Sequence, residues 1–169
     1  YAFQDITINP TGTLAVGTLG PVGVWTISIS PMGIPQYLAT YDTPGFAKGL
    51  ALDAARSLAY IADDTGGLRI LNLNDPISPL VGSYGVGQVY NDVALSETGT
   101  TAYLLHQGGL LQVLDVNNPA APRLLTNISV SGWSSRVAIS GNYATVLITD
   151  STIQSLAVID LTTRTVMRT

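Results

Sequence analysis

His106 is the only histidine in this chain of 169 residues, and cysteine is absent. Histidine- or thiolate-based metal centres need several such ligands, and the carboxylates are not grouped as an oxygen-only site requires. Serines and aspartates would allow a Ser-His-Asp triad, but no Gly-x-Ser-x-Gly nucleophile elbow occurs. We therefore predict no catalytic residue and no bound metal. His106 falls in a predicted loop between two strands, either as an exposed side chain or as a contact to a ligand.

Three further motifs suggest chemistry: two of them lack the neighbouring residues or elements that the chemistry needs, and the third is short enough to arise by chance. The run 63–67, Asp-Asp-Thr-Gly-Gly, lacks the alternating oxygen ligands and distal glutamate of an EF-hand loop, so a tight strand connection is the better interpretation. Gly85 and Gly87 resemble part of a dinucleotide fingerprint, but no helix follows to hold a phosphate. Asn127 matches the short glycosylation motif. We predict no cofactor.

The charge pattern argues against two classes of partner. The formal net charge is −4, Lys48 is the only lysine, and six arginines are scattered singly. Nucleic-acid backbones and anionic membrane surfaces both require clustered cations. No apolar run reaches the length of a transmembrane helix. We expect neither nucleic-acid binding nor membrane insertion.

The elements that would position any site come from an internal repeat. Four short segments read alike, and their second residues lie 44, 43 and 44 positions apart: Ile6, Leu50, Val93 and Val137. A second set of strand-like runs contains alanines 44, 43 and 42 positions apart: Ala15, Ala59, Ala102 and Ala144. Each unit holds four such runs, rich in β-branched and aromatic residues and separated by turn residues.

This period predicts an all-β fold, a β-propeller made of four four-stranded blades. A blade of a propeller typically takes about 40–45 residues. The repeats run approximately over residues 1–45, 46–88, 89–133 and 134–169. A β-sandwich also has many short strands, but it gives no reason for the sequence to repeat four times.

Asp115 and Asp160 recur at the end of the third strand of their units, where Asn72 stands in the second unit. Metal ligation or acid catalysis is one interpretation of such carboxylates. The other is turn chemistry, in which a short side chain accepts bonds from nearby backbone amides. Recurrence at one repeat position favours the turn, because an active site breaks the symmetry of a repeat.

The second unit, from Gly66 through Pro79, resembles the LVIVD repeat, and so does the third unit from Gly109 to Pro119. The fourth unit lacks the prolines and is more similar to the YVTN-type blades of surface-layer propellers. The first unit is the weakest match, with Thr26 where an acidic or amide residue is expected. The resemblance implies a propeller and an extracellular or cell-surface location in bacteria or archaea, and it implies no catalytic motif.

The loops that enter each inner strand carry aromatic residues at or near one repeat position. They are Phe46, Tyr90 and Trp133. We predict that these rings and His106 are solvent-accessible on one side and bind a protein or a glycan, because exposed aromatics commonly anchor interfaces. The alternative is that the rings fill gaps between blades.

These observations predict a non-catalytic scaffold or interaction module. The alternative is a hydrolase or oxidoreductase with an active site at the propeller mouth. A group of perturbed carboxylates around the axis would favour that enzyme, whereas a mouth lined by Ala, Thr and apolar side chains would count against it.

The end blades raise the question of assembly. Blade faces are apolar and need covering, so four blades in an open row would expose large surfaces. We expect one of three arrangements: further blades from a longer chain, two copies completing an eight-bladed ring through a two-fold axis, or four blades closing alone.

Overall fold

The computed structural model describes residues 2–130, 132–149 and 154–168, and within them the chain forms sixteen strands and no helix. Blade 1 contains β1 (Asp5–Ile8), β2 (Leu14–Thr18), β3 (Val24–Ile29) and β4 (Pro35–Tyr41). Blade 2 contains β5 (Leu50–Asp53), β6 (Leu58–Ala62), β7 (Leu68–Asn72) and β8 (Leu80–Tyr84). Blade 3 contains β9 (Tyr90–Leu95), β10 (Thr101–His106), β11 (Leu110–Asp115) and β12 (Arg123–Ser129). Blade 4 contains β13 (Ser134–Ser140), β14 (Tyr143–Thr149), β15 (Gln154–Asp160) and β16 (Thr165–Arg168).

Each blade is an antiparallel sheet whose strands pair in chain order. The predicted all-β architecture of four four-stranded blades is confirmed. Searching the described residues for an apolar helix of membrane-spanning length found none.

The outer strands of blades 1–3 share an irregularity that blade 4 lacks. The register between the third and fourth strands shifts at Thr26, at Ile70 and at Val113, which are equivalent positions when the blades are aligned by the pairing of their second and third strands. In this alignment Ser28 is the counterpart of Asn72, so the expectation that Thr26 occupies that position is wrong by two residues. The same three blades carry two prolines between the end of the third strand and the first residue of the fourth, and β15 pairs with β16 without a shift. Proline cannot donate to a sheet ladder, which is why it is found beside bulges and at edges.

The core consists of apolar layers between consecutive blades. One layer joins blades 1 and 2 and includes Val16 and Ile61; a second joins blades 2 and 3 and includes Ile70 and Leu104. The third joins blades 3 and 4. The second strands of blades 2 and 3 lie between two such layers, and all five residues of β6 are buried. This double burial explains the unbroken apolar runs that mark these strands in the sequence.

The two end blades each have one sheet face with no such layer against it. On blade 1 the side chains of Ile6 and Ile8 point outward and are exposed, and on blade 4 those of Tyr143 and Leu147 are exposed. We call these surfaces the open face of blade 1 and the open face of blade 4.

Candidate functional site

Strand direction places all the predicted binding residues at one end of the blades. Strands alternate in direction, so the segment entering the first strand and the connection between the second and third strands lie at the same end. We call this end the upper face. Phe46, Tyr90 and Trp133 belong to the entry segments, and His106 ends the second strand of blade 3.

Phe46 and Trp133 are both accessible on the upper face. Trp133 is 64% exposed and Phe46 is 36% exposed. The ring of Phe46 also packs against Gly20 of blade 1, where an added Cβ would lie 2.5 Å from the ring edge. Phe46 therefore combines an accessible side with a contact to the neighbouring blade.

The expected accessibility of Tyr90 is wrong, because its side chain is only 1% exposed. Its backbone bridges to Asp64, and its ring enters the layer between blades 2 and 3. The hydroxyl donates to Gln112 Oε1 at 2.7 Å, and burial raises the pKa of Tyr90 to about 12. At this position the gap-filling alternative holds, since a buried phenol with a partner is a packing residue.

His106 lies half-buried beside that ring. The two rings meet edge to face with centroids 5.6 Å apart, and Nδ1 of His106 accepts the Gly108 amide at 3.0 Å. One imidazole nitrogen is thus used in the local turn.

Two exposed apolar residues in entry segments were missed by the sequence analysis. Val86 before β9 is exposed at the upper face, whereas Phe3 before β1 is exposed but packs on Gly17 and Trp25 at the open side of blade 1. With Phe46 and Trp133, the entries of blades 2, 3 and 4 each present one exposed apolar side chain on the upper face. Their position in the entry segments is the signal that the sequence offers, because neither residue stands at the repeat position shared by Phe46 and Trp133.

A chain of polar bonds runs around the channel mouth beneath these residues. Asp5 Oδ2 accepts the Leu50 amide at 3.0 Å, and Asp92 Oδ2 accepts the Val137 amide at 2.8 Å. Each aspartate thereby ties its own inner strand to that of the next blade. Gly49 stands at the equivalent position between them, where an added Cβ would lie 2.1 Å from Asp92 Oδ1.

Side chains on the entry segments continue the chain. Lys48 Nζ donates to Asp64 at 2.7 Å and to Asn91 Oδ1 at 3.0 Å. Asn91 Nδ2 then donates to the Ser134 carbonyl at 2.8 Å, while the Thr18 hydroxyl donates to the Lys48 carbonyl at 2.6 Å. Blades 1 to 4 are linked in order by these contacts.

Arg136 completes the circle from blade 4 to blade 1. It donates to the Gln4 carbonyl at 2.7 Å and lies 3.7 Å from Asp5 and 3.8 Å from Asp92. We call the bond between Arg136 and Gln4, together with the Asp5 ion pair, the Arg136 latch.

Asp92 is the most perturbed carboxyl of this mouth. Its side chain is buried, and burial raises its pKa to about 6 although two backbone amides and Arg136 favour the charged form. Both carboxylate oxygens accept backbone amides, from Val93 and from Val137. The group therefore works as a connector between blades 3 and 4.

Below the mouth the inner strands surround a cavity of about 590 Å³. Small residues at one repeat position line it, namely Ala51, Ala94 and Ala138, together with apolar residues such as Leu95 and the carboxylate of Glu97. Small side chains at this position let the inner strands approach the axis.

The blades of this geometry correspond to a known repeat family. The model of the LVIVD repeat matches residues 57–86, 91–130 and 131–165, more than half of the chain. The chain belongs to the LVIVD repeat family. The LVIVD match includes the fourth unit, which the sequence analysis had likened to YVTN-type blades, and leaves the first unit unmatched. A search of curated proteins found no match.

The carboxylates that end the third strands of these LVIVD blades serve turns. Asp115 accepts the Asn117 amide at 3.0 Å and a bond from Arg123 at 2.8 Å, and these contacts lower its pKa to about 2. Asp160 accepts the amides of Thr162 and Thr163, which lowers its pKa as well. The turn interpretation of both residues is confirmed.

The acidic pair at 63–64 has a similar local role. Asp63 is buried and accepts the Thr43 hydroxyl at 2.7 Å and the Gly45 amide at 2.9 Å, while Asp64 pairs with Lys48. Across the described residues, no group of three or more histidine or acidic side chains is arranged to hold a metal ion.

Proposed function

We propose that this LVIVD propeller is a non-catalytic interaction module that binds a protein or a glycan on its upper face. The observation that carries the proposal is the set of exposed apolar side chains at the blade entries, above all Trp133 at 64% exposed. Tryptophan and tyrosine supply large contact areas at low entropic cost, and truncation of such an anchor commonly costs the most binding energy in an interface.

The support beneath these side chains favours the same proposal. Lys48, Asn91 and Asp92 hold the blades together by bonds between neighbours, so their polar groups act as a rigid frame. A rigid platform lowers the ordering cost of binding. The exposed rings then meet a partner without a rearrangement of the mouth.

The proposal includes a location outside the cell or on its surface, as in the bacterial and archaeal proteins that the repeats resemble. Protease treatment of intact cells tests it. Loss of the protein from intact cells supports a surface location, and protection until the cells are broken opposes it.

One observation favours the alternative of an enzyme acting at the mouth. Asp92, with its pKa near 6, lies with Asp5 and Arg136 around the axis, and perturbed carboxyls mark functional sites. The alanine-lined cavity and the two amides that Asp92 accepts favour the structural role. Asp92→Asn separates the two: an enzyme loses its activity, and a binding module retains its partner.

The direct test uses a glycan array together with crosslinking to proteins at the surface of the source cells. Trp133→Ala and Phe46→Ala are the test variants, and Ile77→Ala is the control because Ile77 is exposed in the connection between β7 and β8 at the opposite end. We expect Trp133→Ala to weaken binding by about 10- to 100-fold. Equal binding by all three variants would contradict the proposal.

A further inference from the structure

The open face of blade 1 is the surface that every other blade buries. Ile6 corresponds by the repeat to Leu50, Val93 and Val137. These three side chains are 7%, 3% and 8% exposed because they pack on the preceding blade, whereas Ile6 is 62% exposed. The open face of blade 1 therefore has the chemistry of an inter-blade contact without a preceding blade against it.

The open face of blade 4 is the opposite half of the same contact. Leu147 corresponds by the repeat to Thr18, Ala62 and Leu105. Each of these three is fully buried against the following blade, whereas Leu147 is 38% exposed. Val158 and Met167 pair across the sheet in line with Thr145, which lies two residues before Leu147. Both residues therefore belong to the open face of blade 4.

The two faces are therefore complementary in type. In each of the three inter-blade layers, the face of one blade that corresponds to the open face of blade 4 packs on the next blade. The face of that next blade corresponds to the open face of blade 1. One chain carries both halves, so every copy can offer either half to another copy. Contacts between unlike patches of identical chains are heterologous and form rings when the rotation closes.

Aromatic side chains add to the apolar character of the open face of blade 1. Trp25 shares the open face of blade 1 with Ile6 and Gly17, and its ring meets Phe3 and Tyr37 edge to face with centroids 6.1 Å away. Its indole Nε1 is buried with no hydrogen-bond partner among the described residues. These rings give the open face of blade 1 the large apolar surface that aromatic side chains provide in packed interfaces.

We propose that the open face of blade 1 in one molecule packs on the open face of blade 4 in a second copy of the chain. Within one molecule the Arg136 latch joins the inner edges of these blades, yet the apolar residues of both faces remain exposed. The Arg136 side chain is 47% exposed, and exposed ion pairs contribute little. Opening of the latch is therefore a small barrier to docking of a second copy.

Sedimentation velocity over a wide range of protein concentration tests the proposal. The wild-type chain should form dimers or larger species, and Ile6→Gln or Leu147→Gln should each weaken association by about 100-fold, because an amide replaces a buried apolar side chain. Glutamine is uncharged, so neither change introduces a charge beside the Arg136 latch. Ile77→Gln is the matched control and should associate as the wild type does.

Mixing the two variants distinguishes unlike-face pairing from like-face pairing. The Ile6→Gln chain keeps its blade 4 face, and the Leu147→Gln chain keeps its blade 1 face, so an equal mixture should associate where each variant alone does not. Circular dichroism and thermal melts establish that the variants are folded.

A wild-type chain that stays monomeric at all concentrations would overturn the proposal. So would a variant of one face that associates normally, or a mixture that does not associate. Trp133→Ala should leave association unchanged. A failure of the self-association proposal can therefore be distinguished from a failure of the upper-face binding proposal.

Discussion

At the scale of single residues, the channel mouth uses carboxylates as connectors between backbones. Asp5 and Asp92 each accept an amide of the next blade 45 residues along the chain. Asp92 is buried between the two blades that it ties, and burial disfavours its charged form. Structural necessity accounts for the perturbed pKa of Asp92.

The raised pKa of Asp92 predicts a pH-dependent stability. Its folded-state pKa is about 6 and its ordinary value is 3.8, so the folded state binds the proton more tightly. The stabilisation is therefore complete below the unfolded-state pKa and is lost as the pH rises through about 6. The free energy of unfolding of the wild type, relative to Asp92→Asn, should fall by about 1–3 kcal/mol from pH 4 to pH 7.

Urea unfolding of both chains at several pH values measures this difference. An NMR titration of the Asp92 carboxyl with a midpoint near its ordinary value would contradict the explanation.

Gly49 gives a second prediction at this scale. Gly49→Ala places a Cβ 2.1 Å from Asp92 Oδ1 and 2.5 Å from its Cα, so part of the mouth must move. We expect a loss of about 1–3 kcal/mol in the free energy of unfolding. Gly108→Ala is the control, because its Cβ would come no closer than 3.3 Å to the end of the His106 ring. Equal stability of the two variants in denaturant melts would show that the residues around Gly49 shift at little energetic cost, which would contradict the prediction.

At the scale of elements, blades 2 and 3 are joined by an apolar layer and by polar bonds at both ends of the sheets. At the lower end between blades 2 and 3, Arg56 binds Asp53 and Tyr60 of its own blade and the carbonyls of Gly99 and Val116 of blade 3. A guanidinium presents five donors in a fixed fork, which suits such a multiple contact.

Arg56→Met tests that joint. Methionine keeps much of the aliphatic stem but removes the donors, leaving a largely buried Asp53 without its partner. We expect a loss of about 2–4 kcal/mol in the free energy of unfolding. Arg123→Met is the control, since its pair with Asp115 is exposed and should contribute less than about 1 kcal/mol. Similar losses for both variants would contradict the assigned role of Arg56.

At the scale of the whole molecule, the circle of blades closes through polar bonds at the inner edge. The Arg136 latch joins blade 4 to blade 1, while the apolar residues of both open faces stay exposed. The three other junctions have buried apolar layers. The junction between blades 4 and 1 is consequently the weakest point of the circle.

Arg136→Met should loosen that junction alone. The free energy of unfolding should change by less than about 1 kcal/mol, because the latch is partly exposed. Amide hydrogen exchange should become faster in β1 and remain unchanged in β6, which lies between two buried layers. Unchanged exchange in β1 would show that the latch does not hold blade 1, and faster exchange in β6 would show a global effect.

The sequence by itself determined the blades, because each repeat encodes its own sheet. Strand runs and turn residues act over short distances, so the period of Ile6, Leu50, Val93 and Val137 revealed the fold and the turn roles of Asp115 and Asp160. Repeat position also located the upper-face loops, since strand direction follows from the order of the strands.

Only the tertiary structure decided which side of each ring meets solvent. Tyr90 and Trp133 occupy similar repeat positions, yet the neighbouring blade buries the first and leaves the second exposed. The Arg136 latch and the burial of Asp92 likewise depend on the spacing of inner strands far apart in the chain. Local patterns do not encode such distances, because they follow from how all the blades pack around one axis.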